Sequence, residues 1–245
     1  MAFPSTSVVI PTWNERSGII TLLNKIRAQT VPPEEVIVVD KFSSDGTGKC
    51  AESMGAKVIY DLGSVAMARN VGAQACSGDI VAFTEGDAVV PQRWIEIIAS
   101  KFEKISGLLA LAGPGSPYDF KGVPWDLKVE YMVYNAFRAF MGRLGWFMCS
   151  GYNMAVRRRI FNRVQFPDVV PNDDGLFGKA VSKLGQTRFS PDLAVQISSR
   201  RFRKFGFIQG NLYYIFMLGN LFPVLMPITR KLRWTSQKKF NKLRE

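Results

Sequence analysis

The chain of 245 residues contains no histidine, which closes mechanisms that use an imidazole as a base or as a metal ligand. It has three cysteines, Cys50, Cys76 and Cys149, and none belongs to a CxxC pair. The odd number and the spacing argue against a disulfide framework or a zinc site and favour a reducing compartment. Carboxylates must therefore carry any acid–base chemistry at neutral pH, unless a lysine, tyrosine or cysteine is strongly perturbed.

The N-terminus lacks a basic region and a long apolar run, so we expect no signal peptide. The length suits one large domain, or one domain with an appendage. Apolar residues make up 47% of the chain, which excludes a disordered protein. The net charge of +12 indicates anionic partners, whether nucleic acid, acidic lipid head groups or phosphorylated small molecules.

The first half alternates short β-branched runs with helical patterns. We predict strands at residues 7–11, 36–40, 57–60, 80–83 and 108–112, with the first strand ending at Pro11. Helical spacing fills residues 19–26, 65–75 and 94–105, and a short helix follows a turn at 43–47. This alternation predicts an α/β fold with a mostly parallel sheet flanked by helices. The second half is less regular, with predicted helices at 126–144 and 175–184 and a strand near 152–156.

Polar or acidic residues follow three of the predicted strands. Asn14 and Glu15 come after the first strand, Asp40 ends the second, and Glu85-Gly86-Asp87 follows the fourth. Ligands of parallel sheets bind beyond the carboxyl ends of the strands, so these side chains are predicted to meet at one edge. Two carboxylates separated by one small residue suit Mg²⁺ or Mn²⁺, which prefer oxygen ligands and share their coordination with substrate phosphates.

Three further charged residues are candidates for the same site. The guanidinium of Arg69, in the helix before the fourth strand, could grip a phosphate or a base edge. Asp173 and Asp174 precede a helix, where capping and the helix dipole favour carboxylates. One of the two acids would satisfy the helix and leave the other to accept a proton from an acceptor hydroxyl.

With these motifs in order, the chain resembles the family 2 glycosyltransferases of the GT-A fold over roughly residues 7–203. The motifs that carry the resemblance are Val8-Val9-Ile10-Pro11-Thr12-Trp13-Asn14-Glu15, Val38-Val39-Asp40 with Ser43-Ser44-Asp45-Gly46-Thr47, Arg69-Asn70-x-Gly72, Ser77-Gly78-Asp79, Phe83-Thr84-Glu85-Gly86-Asp87, Asn153-x-Ala155-x-Arg157-Arg158 and Asp173-Asp174.

The resemblance implies a role for each matching residue. Asp40 would contact the nucleobase of a nucleotide-diphosphate sugar, and Arg69 would lie along the nucleotide. Asp87, with Glu85 nearby, would hold a Mg²⁺ or Mn²⁺ ion that bridges the diphosphate. Asp174 would be the general base of an inverting displacement and Asp173 its acidic neighbour. The other residues implied in donor binding are Pro11, Thr12, Asn14, Glu15, Gly86 and Asn153.

Three departures from the family pattern bear on specificity. Lys41 and Phe42 follow Asp40 where an acid is common, so donor identity is open, with UDP-sugars the first expectation and GDP-sugars the second. The metal motif begins with Glu85 rather than with aspartate. The QxxRW signature of processive synthases is absent, which argues against a polymer synthase.

The last forty-five residues have a different character. Arg200, Arg201 and Arg203 precede an uncharged run at 205–229, and a second basic stretch follows it. Pro223 and Pro227 interrupt the run, so a segment at the membrane interface fits better than a simple span, with a buried C-terminal hairpin as the alternative. The three arginines could grip the donor diphosphate or a lipid phosphate.

We therefore predict a GT-A domain at residues 1–200, with a nucleotide-binding half at 1–113 and an acceptor half at 114–200. Residues 201–245 would form a membrane-associating segment at the cytoplasmic face of the cell membrane. The acceptor would be lipid-linked, of the polyprenyl type. The alternatives are a nucleotidyltransferase, which usually carries a glycine-rich basic loop after its first strand, a nucleic-acid binder and an inactive scaffold. Nucleic acid is not among the predicted partners, because no RNA or DNA motif accompanies the basic residues.

Overall fold

The computed structural model describes residues 3–118, 122–169 and 172–200. Met1–Ser198 forms one compact unit, and a second unit, Ser199–Glu245, contributes only Ser199 and Arg200 to the described residues. The predictions for Arg201, Arg203 and the uncharged run at 205–229 lie outside them. Within the described ranges, no helix has the length and apolar character needed to cross a membrane.

In the described ranges, ten strands form two sheets. In chain order they are β1 (Thr6–Thr12), β2 (Glu35–Asp40), β3 (Lys57–Tyr60), β4 (Ile80–Phe83), β5 (Ala88–Val89), β6 (Leu108–Ala112), β7 (Gly115–Tyr118), β8 (Met154–Arg157), β9 (Gln186–Phe189) and β10 (Val195–Ser198). The main sheet has the order β3-β2-β1-β4-β8-β6-β9, and the small sheet has the order β5-β10-β7. β1 to β4 are parallel, whereas β8 is antiparallel to both of its neighbours.

Six α-helices connect these strands in the part of the chain that the structure describes, together with a 3-10 helix at Arg158–Asn162. They are α1 (Arg16–Arg27), α2 (Thr47–Ser53), α3 (Val65–Gln74), α4 (Trp94–Lys104), α5 (Trp125–Arg143) and α6 (Asp173–Ser182). The predicted α/β architecture is confirmed, because the alternating apolar runs and helical stripes of the first half form β1 to α4 in the expected order.

The core lies on both faces of the main sheet because successive side chains of a strand point to opposite faces. In β1, Val8 and Ile10 join the cluster that includes Trp94, while Val9 joins the cluster that includes Phe177. Strands covered on both faces are continuously apolar, which is the pattern of β1, β2 and β4. The main sheet is therefore packed on both faces, and a site can form at the edge where its parallel strands end.

The first strand does not end at Pro11, as predicted, but continues to Thr12. Val9 accepts a hydrogen bond from the backbone N–H of Thr84, whereas Thr12 accepts one from Lys41. Since strand residues alternate sides, Pro11 faces the β4 side, where β4 has already ended at Phe83. The missing N–H of proline therefore costs no ladder hydrogen bond there.

β5, β7, β9 and β10 have no counterpart among the predicted strands. The last helix also starts earlier than predicted. α6 begins at Asp173 rather than at residue 175, so both acids lie in its first turn. Asn172 precedes the helix in the left-handed conformation, with φ of 89°. Asparagine adopts this backbone conformation more readily than most residues do, and the resulting turn sets the direction in which the helix starts.

Candidate active site

The carboxyl ends of β2, β1 and β4 meet at one edge of the main sheet, as the sequence predicts. The three strands are adjacent and parallel, and Thr12 lies directly beside Asp40 in the register. β4 ends at Phe83, so Glu85-Gly86-Asp87 emerges on the other side of β1. The candidate residues that follow these strands therefore lie at this edge: Asn14 with Glu15, Asp40, and the Glu85-Gly86-Asp87 turn.

The start of α1 is fastened to the loop between β2 and α2. Three backbone N–H groups donate to side chains of this loop: Asn14 to Ser43 Oγ at 2.8 Å, Glu15 to Thr47 Oγ1 at 2.9 Å and Arg16 to Asp45 Oδ2 at 3.0 Å. Asn14 Oδ1 in turn accepts from the backbone N–H of Ser44 at 2.9 Å. The first turn of a helix leaves its N–H groups without helical partners, and here the loop supplies them. Asn14 and Glu15 therefore shape the loop rather than only lining it.

Asp40 also holds this loop through its carboxylate. Its Oδ2 accepts the backbone N–H of Ser43 at 2.9 Å, and its Oδ1 accepts the hydroxyl of the same residue. An open pocket of about 370 Å³ lies beside it, lined also by Phe42, Tyr60 and Gly48. A Cβ at position 48 would lie 3.0 Å from Asp40 Oδ2, so glycine keeps this side of the pocket open. The pocket is the candidate nucleobase site.

The Glu85-Gly86-Asp87 turn packs tightly under the start of α1. A Cβ on Gly86 would lie 2.9 Å from Thr12 Oγ1 and 3.2 Å from Glu15 Cβ, so only glycine fits without displacement. The side chain of Asp87 is buried, and its backbone carbonyl accepts from the hydroxyl of Tyr118 at 3.1 Å. These contacts hold both carboxylates close to the end of β1.

The acids of this turn fit a divalent cation that is completed by phosphate oxygens. The described residues contain no group of three or more His, Cys, Asp or Glu side chains that could hold a metal. The turn itself offers two carboxylates, Glu85 and Asp87. The buried hydroxyl of Thr12 lies beside them and has no hydrogen-bond partner among the described residues. Mg²⁺ and Mn²⁺ suit such partial oxygen sets, since they share their coordination with a substrate diphosphate.

Arg69 is the buried hub of the site. Its Nη1 lies 2.5 Å from Asp173 Oδ2 and its Nη2 lies 3.3 Å from Glu85 Oε1, so one guanidinium joins the end of β4 to the start of α6. Desolvation would lower the pKa of Arg69, but the carboxylates of Asp173, Asp174 and Glu85 raise it. With two of its nitrogens on carboxylates, Arg69 organises the acids, and its predicted position along the nucleotide stays a prediction.

The two acids of α6 have different environments. Asp173 is buried on Arg69, and desolvation raises its pKa to about 6 although the Arg69 charge opposes the change. Asp174 is half-buried, and its Oδ2 accepts the backbone N–H of Gly151 at 2.9 Å. The environments separate a structural acid, Asp173, from an accessible carboxylate, Asp174, which is held in one orientation.

Gly151 is a site residue that the sequence analysis missed. A Cβ there would lie 1.8 Å from Arg69 Nη2, so the guanidinium occupies the space that any other side chain would need. Its backbone N–H is also the donor to Asp174. Nothing in the local sequence marks this glycine, because its role depends on two residues that are distant along the chain.

Asn153 and Arg200 were also predicted as site residues. Asn153 is fully buried, and its amide donates to the carbonyls of Pro114 and Leu193 and accepts from the indole of Trp94. These bonds link α4 to the segments that precede β7 and β10, and the predicted contact of Asn153 with the donor stays a prediction. Arg200 is exposed and belongs to the second compact unit.

Comparison with known families decides the assignment. The sequence profile described as glycosyl transferase family 2 matches residues 7–165, which is more than half of the chain. The chain belongs to glycosyl transferase family 2. The match contains Asp40, Arg69 and the Glu85-Gly86-Asp87 turn of this family 2 protein, and it ends before Asp173 and Asp174.

Curated relatives of this family 2 protein match less than half of its length. Glycosyltransferase AglE of Haloferax volcanii is 41% identical over 105 residues, which are 38% of this chain and 34% of that protein. Validoxylamine A glucosyltransferase of Streptomyces hygroscopicus subsp. limoneus is 33% identical over 120 residues, which are 45% of this chain and 24% of that protein. The matched region thus spans about a third or less of these relatives.

Solved structures show the fold of the family 2 protein. A mannosyltransferase of Pyrobaculum calidifontis, in complex with GDP-Man and Mn²⁺, has a TM-score of 0.67 and 23% identity, and the match covers 88% of this chain and 64% of that one. TarS of S. aureus, residues 1–349 with UDP-GlcNAc, has a TM-score of 0.63 and 22% identity, over 79% and 58% of the two chains. The described fold is therefore a GT-A-like α/β fold.

Proposed function

We propose that the protein is an inverting glycosyltransferase that moves a sugar from a nucleotide-diphosphate donor to a lipid-linked or membrane-proximal hydroxyl or phosphate. The observation that carries the proposal is the pair of acids on α6. Arg69 neutralises Asp173, while the Gly151 N–H holds the accessible Asp174, across the strand edge from the Glu85-Gly86-Asp87 turn. Family membership supports the reaction class.

The donor would lie along the edge of the main sheet where β2, β1 and β4 end. Its base would enter the pocket beside Asp40 and Tyr60, and its diphosphate would reach the turn after β4. Complexes of similar folds hold GDP-Man or UDP-GlcNAc, so both uridine and guanosine donors stay in the proposal, with UDP-sugars first. Lys41, whose Nζ lies 5.7 Å from the Trp13 ring centre, adds a cation near the base site.

A Mg²⁺ or Mn²⁺ ion held by Asp87 and Glu85 would neutralise the charge that develops on the leaving diphosphate. Asp174 would accept the proton of the acceptor hydroxyl as that oxygen attacks the anomeric carbon, which breaks the bond to the diphosphate and inverts the configuration. Asp173 and Arg69 would not exchange protons with the substrate but would fix the start of α6. Arg200, Arg201 and Arg203 would contact a lipid phosphate.

A thermal-shift panel tests the donor site directly. UDP-, GDP- and dTDP-sugars would be added with and without Mn²⁺ or Mg²⁺, and we expect one nucleotide to raise the melting temperature only with metal, since a ligand that binds the native state stabilises it. Asp87→Ala should remove the metal-dependent shift. A folded protein that no donor stabilises would contradict the assignment.

The base is tested by Asp174→Asn, which keeps the shape of the side chain and its bond from Gly151 but cannot accept the proton. We expect the donor-dependent shift to remain and transfer to fall by about a hundredfold or more, the usual size of a general-base contribution. Initial rates with an acceptor that offers a sugar hydroxyl, such as a polyprenyl-diphosphate-linked sugar, would measure this loss. Normal turnover by the variant would assign the proton transfer to another group.

A further inference from the structure

The outward face of α5 is apolar along the whole helix. Its exposed large apolar residues are Trp125, Val129, Met132, Val133 and Phe140, and Leu144 and Trp146 follow directly. Trp125 is 78%, Met132 63% and Phe140 56% exposed. The residues that belong to α5 are separated by three, four, seven or eight positions, which places them on one side of the helix. We name these seven residues the α5 face. A continuous apolar surface of this kind on a folded domain marks an interaction site.

The opposite side of α5 already fixes the helix to the protein. Leu127, Tyr131 and Met141 are buried there, and the Asn135 amide donates to the carbonyl of Gly115 at 2.7 Å. Arg138 is completely buried, and its Nε donates to the carbonyl of Met148 at 3.0 Å. The α5 face lies on the other side of the helix from these contacts, with its large apolar side chains exposed.

The exposed charged side chains beside the α5 face are basic. Among the described residues of α5, the exposed charged side chains are Lys128 and Arg143, whereas the acids Asp126 and Glu130 are partly buried. Lys179 of α6 lies with its Nζ 5.9 Å from the centre of the Trp146 ring. Aromatic and aliphatic side chains bordered by lysine and arginine are typical of helices that lie in the interface of an anionic membrane.

We propose that the α5 face docks onto an anionic lipid bilayer, with its apolar side chains at the boundary between head groups and acyl chains. A second copy fits less well, because a symmetric dimer would bring the same patch together and oppose two basic faces. A nucleic acid fits less well, because it would leave the apolar side chains without an apolar partner.

This docking would place the candidate catalytic loop near the membrane. The inner side of α5 contacts the segment that holds Asp174: the hydroxyls of Tyr134 and Ser150 are 3.5 Å apart, and Arg138 Nη1 donates to Tyr152 at 3.0 Å. The loop is therefore separated from the α5 face by about one helix diameter, roughly 10 Å. Vesicle binding needs neither donor nor turnover, so this inference can fail while the proposed function stands, and the reverse.

Flotation of the full chain with vesicles tests the proposal. The vesicles would be phosphatidylcholine alone, or phosphatidylcholine and phosphatidylglycerol in equal parts. We expect Met132→Asp with Phe140→Asp to weaken binding to the anionic vesicles by about tenfold or more, since two exposed anchors become anionic. Leu62→Asp is the matched control, because Leu62 is 71% exposed but lies between β3 and α3, and it should bind as the wild type does.

The basic border is tested separately with Lys128→Gln and Arg143→Gln. Each should weaken binding to anionic vesicles by about fivefold and leave binding to phosphatidylcholine alone unchanged. Unchanged vesicle binding by the Met132 and Phe140 double variant would overturn the proposal and assign any membrane contact to another segment. A dimer in sedimentation experiments that the double variant dissociates would also overturn it, in favour of a second copy.

A spectroscopic measurement keeps the proposal testable if the double variant does not fold. Lipids with brominated acyl chains quench tryptophans that reach the acyl boundary. We expect strong quenching in the wild type that falls in Trp125→Phe and Trp146→Phe. Equal quenching in the wild type and in both variants would show that the α5 face does not enter the bilayer.

Discussion

At the scale of single residues, the site depends on buried Arg69, whose guanidinium fills the space that a side chain at position 151 would need. Arg69 contacts Asp173 and Glu85, and its guanidinium fills the space above Gly151. Removing one partner of a buried ion pair costs far more than an exposed pair contributes, because the remaining charge loses its partner without regaining water. The positions of the two α6 acids therefore depend on the guanidinium.

Gly151→Ala tests this arrangement. The new methyl group would meet Arg69 Nη2 at 1.8 Å, so we expect a loss of stability of about 1–3 kcal/mol from overpacking. Displacement of the N–H that orients Asp174 should reduce transfer by about a hundredfold. Urea unfolding and initial rates measure the two effects.

Gly142→Ala is the matched control for Gly151→Ala. It lies in α5, where a Cβ would be 3.4 Å from Phe189 Cβ, an acceptable contact, and alanine favours the helix. We expect it to be neutral or slightly stabilising. If both alanine variants behaved alike, the close approach at Gly151 would have no functional consequence.

The pKa of Asp173 leads to a prediction about stability. Burial raises the pKa from 3.8 to about 6, so the folded protein binds this proton more tightly than the unfolded chain does. The stabilisation is present below pH 4 and is lost as the pH rises through 6, by up to about 3 kcal/mol. We expect Asp173→Asn to remove this dependence, so that the free energy of unfolding of the wild type falls relative to the variant over that range. Parallel curves from urea unfolding would contradict the prediction.

At the scale of elements, the join between α1 and the β2–α2 loop shapes the candidate donor site. The Thr47 hydroxyl accepts from the Glu15 N–H and donates to Asp45 Oδ1, so it links the helix start to the loop. Glu15 and Thr47 are both buried, and the N–H cannot turn to water if its partner is lost. An unsatisfied buried donor costs about 1–3 kcal/mol.

Thr47→Val keeps the shape of the side chain and removes the hydroxyl. We expect it to lower the free energy of unfolding by about 1–3 kcal/mol and to weaken donor binding, because the loop beside Asp40 loses its anchor. Thr21→Val is the control, since Thr21 is exposed on α1 and its hydroxyl bonds only to the carbonyl of Ser17. Equal unfolding curves for the two variants would refute the anchoring role.

The sequence predicts well those elements whose signal is local. β2 and β4 are continuous apolar runs, and α1 has a helical stripe, so these elements and the strand-end acids were found correctly. β5 has two residues and β7 reads Gly-Ser-Pro-Tyr, so neither shows a strand pattern, and both exist only because β10 pairs with them. Tertiary pairing of this kind leaves no trace in a short window of sequence.

The same limit applies to the site. Residue type and order made Asp87 and Asp174 candidates, because carboxylates at strand and helix ends are local features, and their roles stay predictions. The role of Arg69 could not be found in this way, because its partners Asp173 and Glu85 are 104 and 16 residues away. Asn153 was assigned to the donor by its motif, whereas its contacts to Trp94 depend on the packing of α4.

At the scale of the whole molecule, the chain combines a compact unit with a basic C-terminal region. Both apolar clusters consist of residues between Val8 and Ile197, and the strand-end acids lie within the same range. The predicted membrane-associating segment begins after Arg200, outside the described residues. Folding and donor binding should therefore be separable from delivery of a lipid-borne acceptor.

A chain that ends at Arg200 tests this separation. We expect it to unfold cooperatively in urea and to keep the metal-dependent thermal shift with the donor, because neither core cluster loses a residue. Transfer to polyprenyl phosphate in vesicles should fall, because Arg201, Arg203 and the run at 205–229 are removed, while transfer to a short water-soluble acceptor should fall less. If the shortened chain did not fold, residues 201–245 would belong to the core, and the alternative of a buried C-terminal hairpin would be favoured. If it folded and used both acceptors as well as the full chain does, the C-terminal region would have no part in acceptor delivery, and that task would fall to the α5 face.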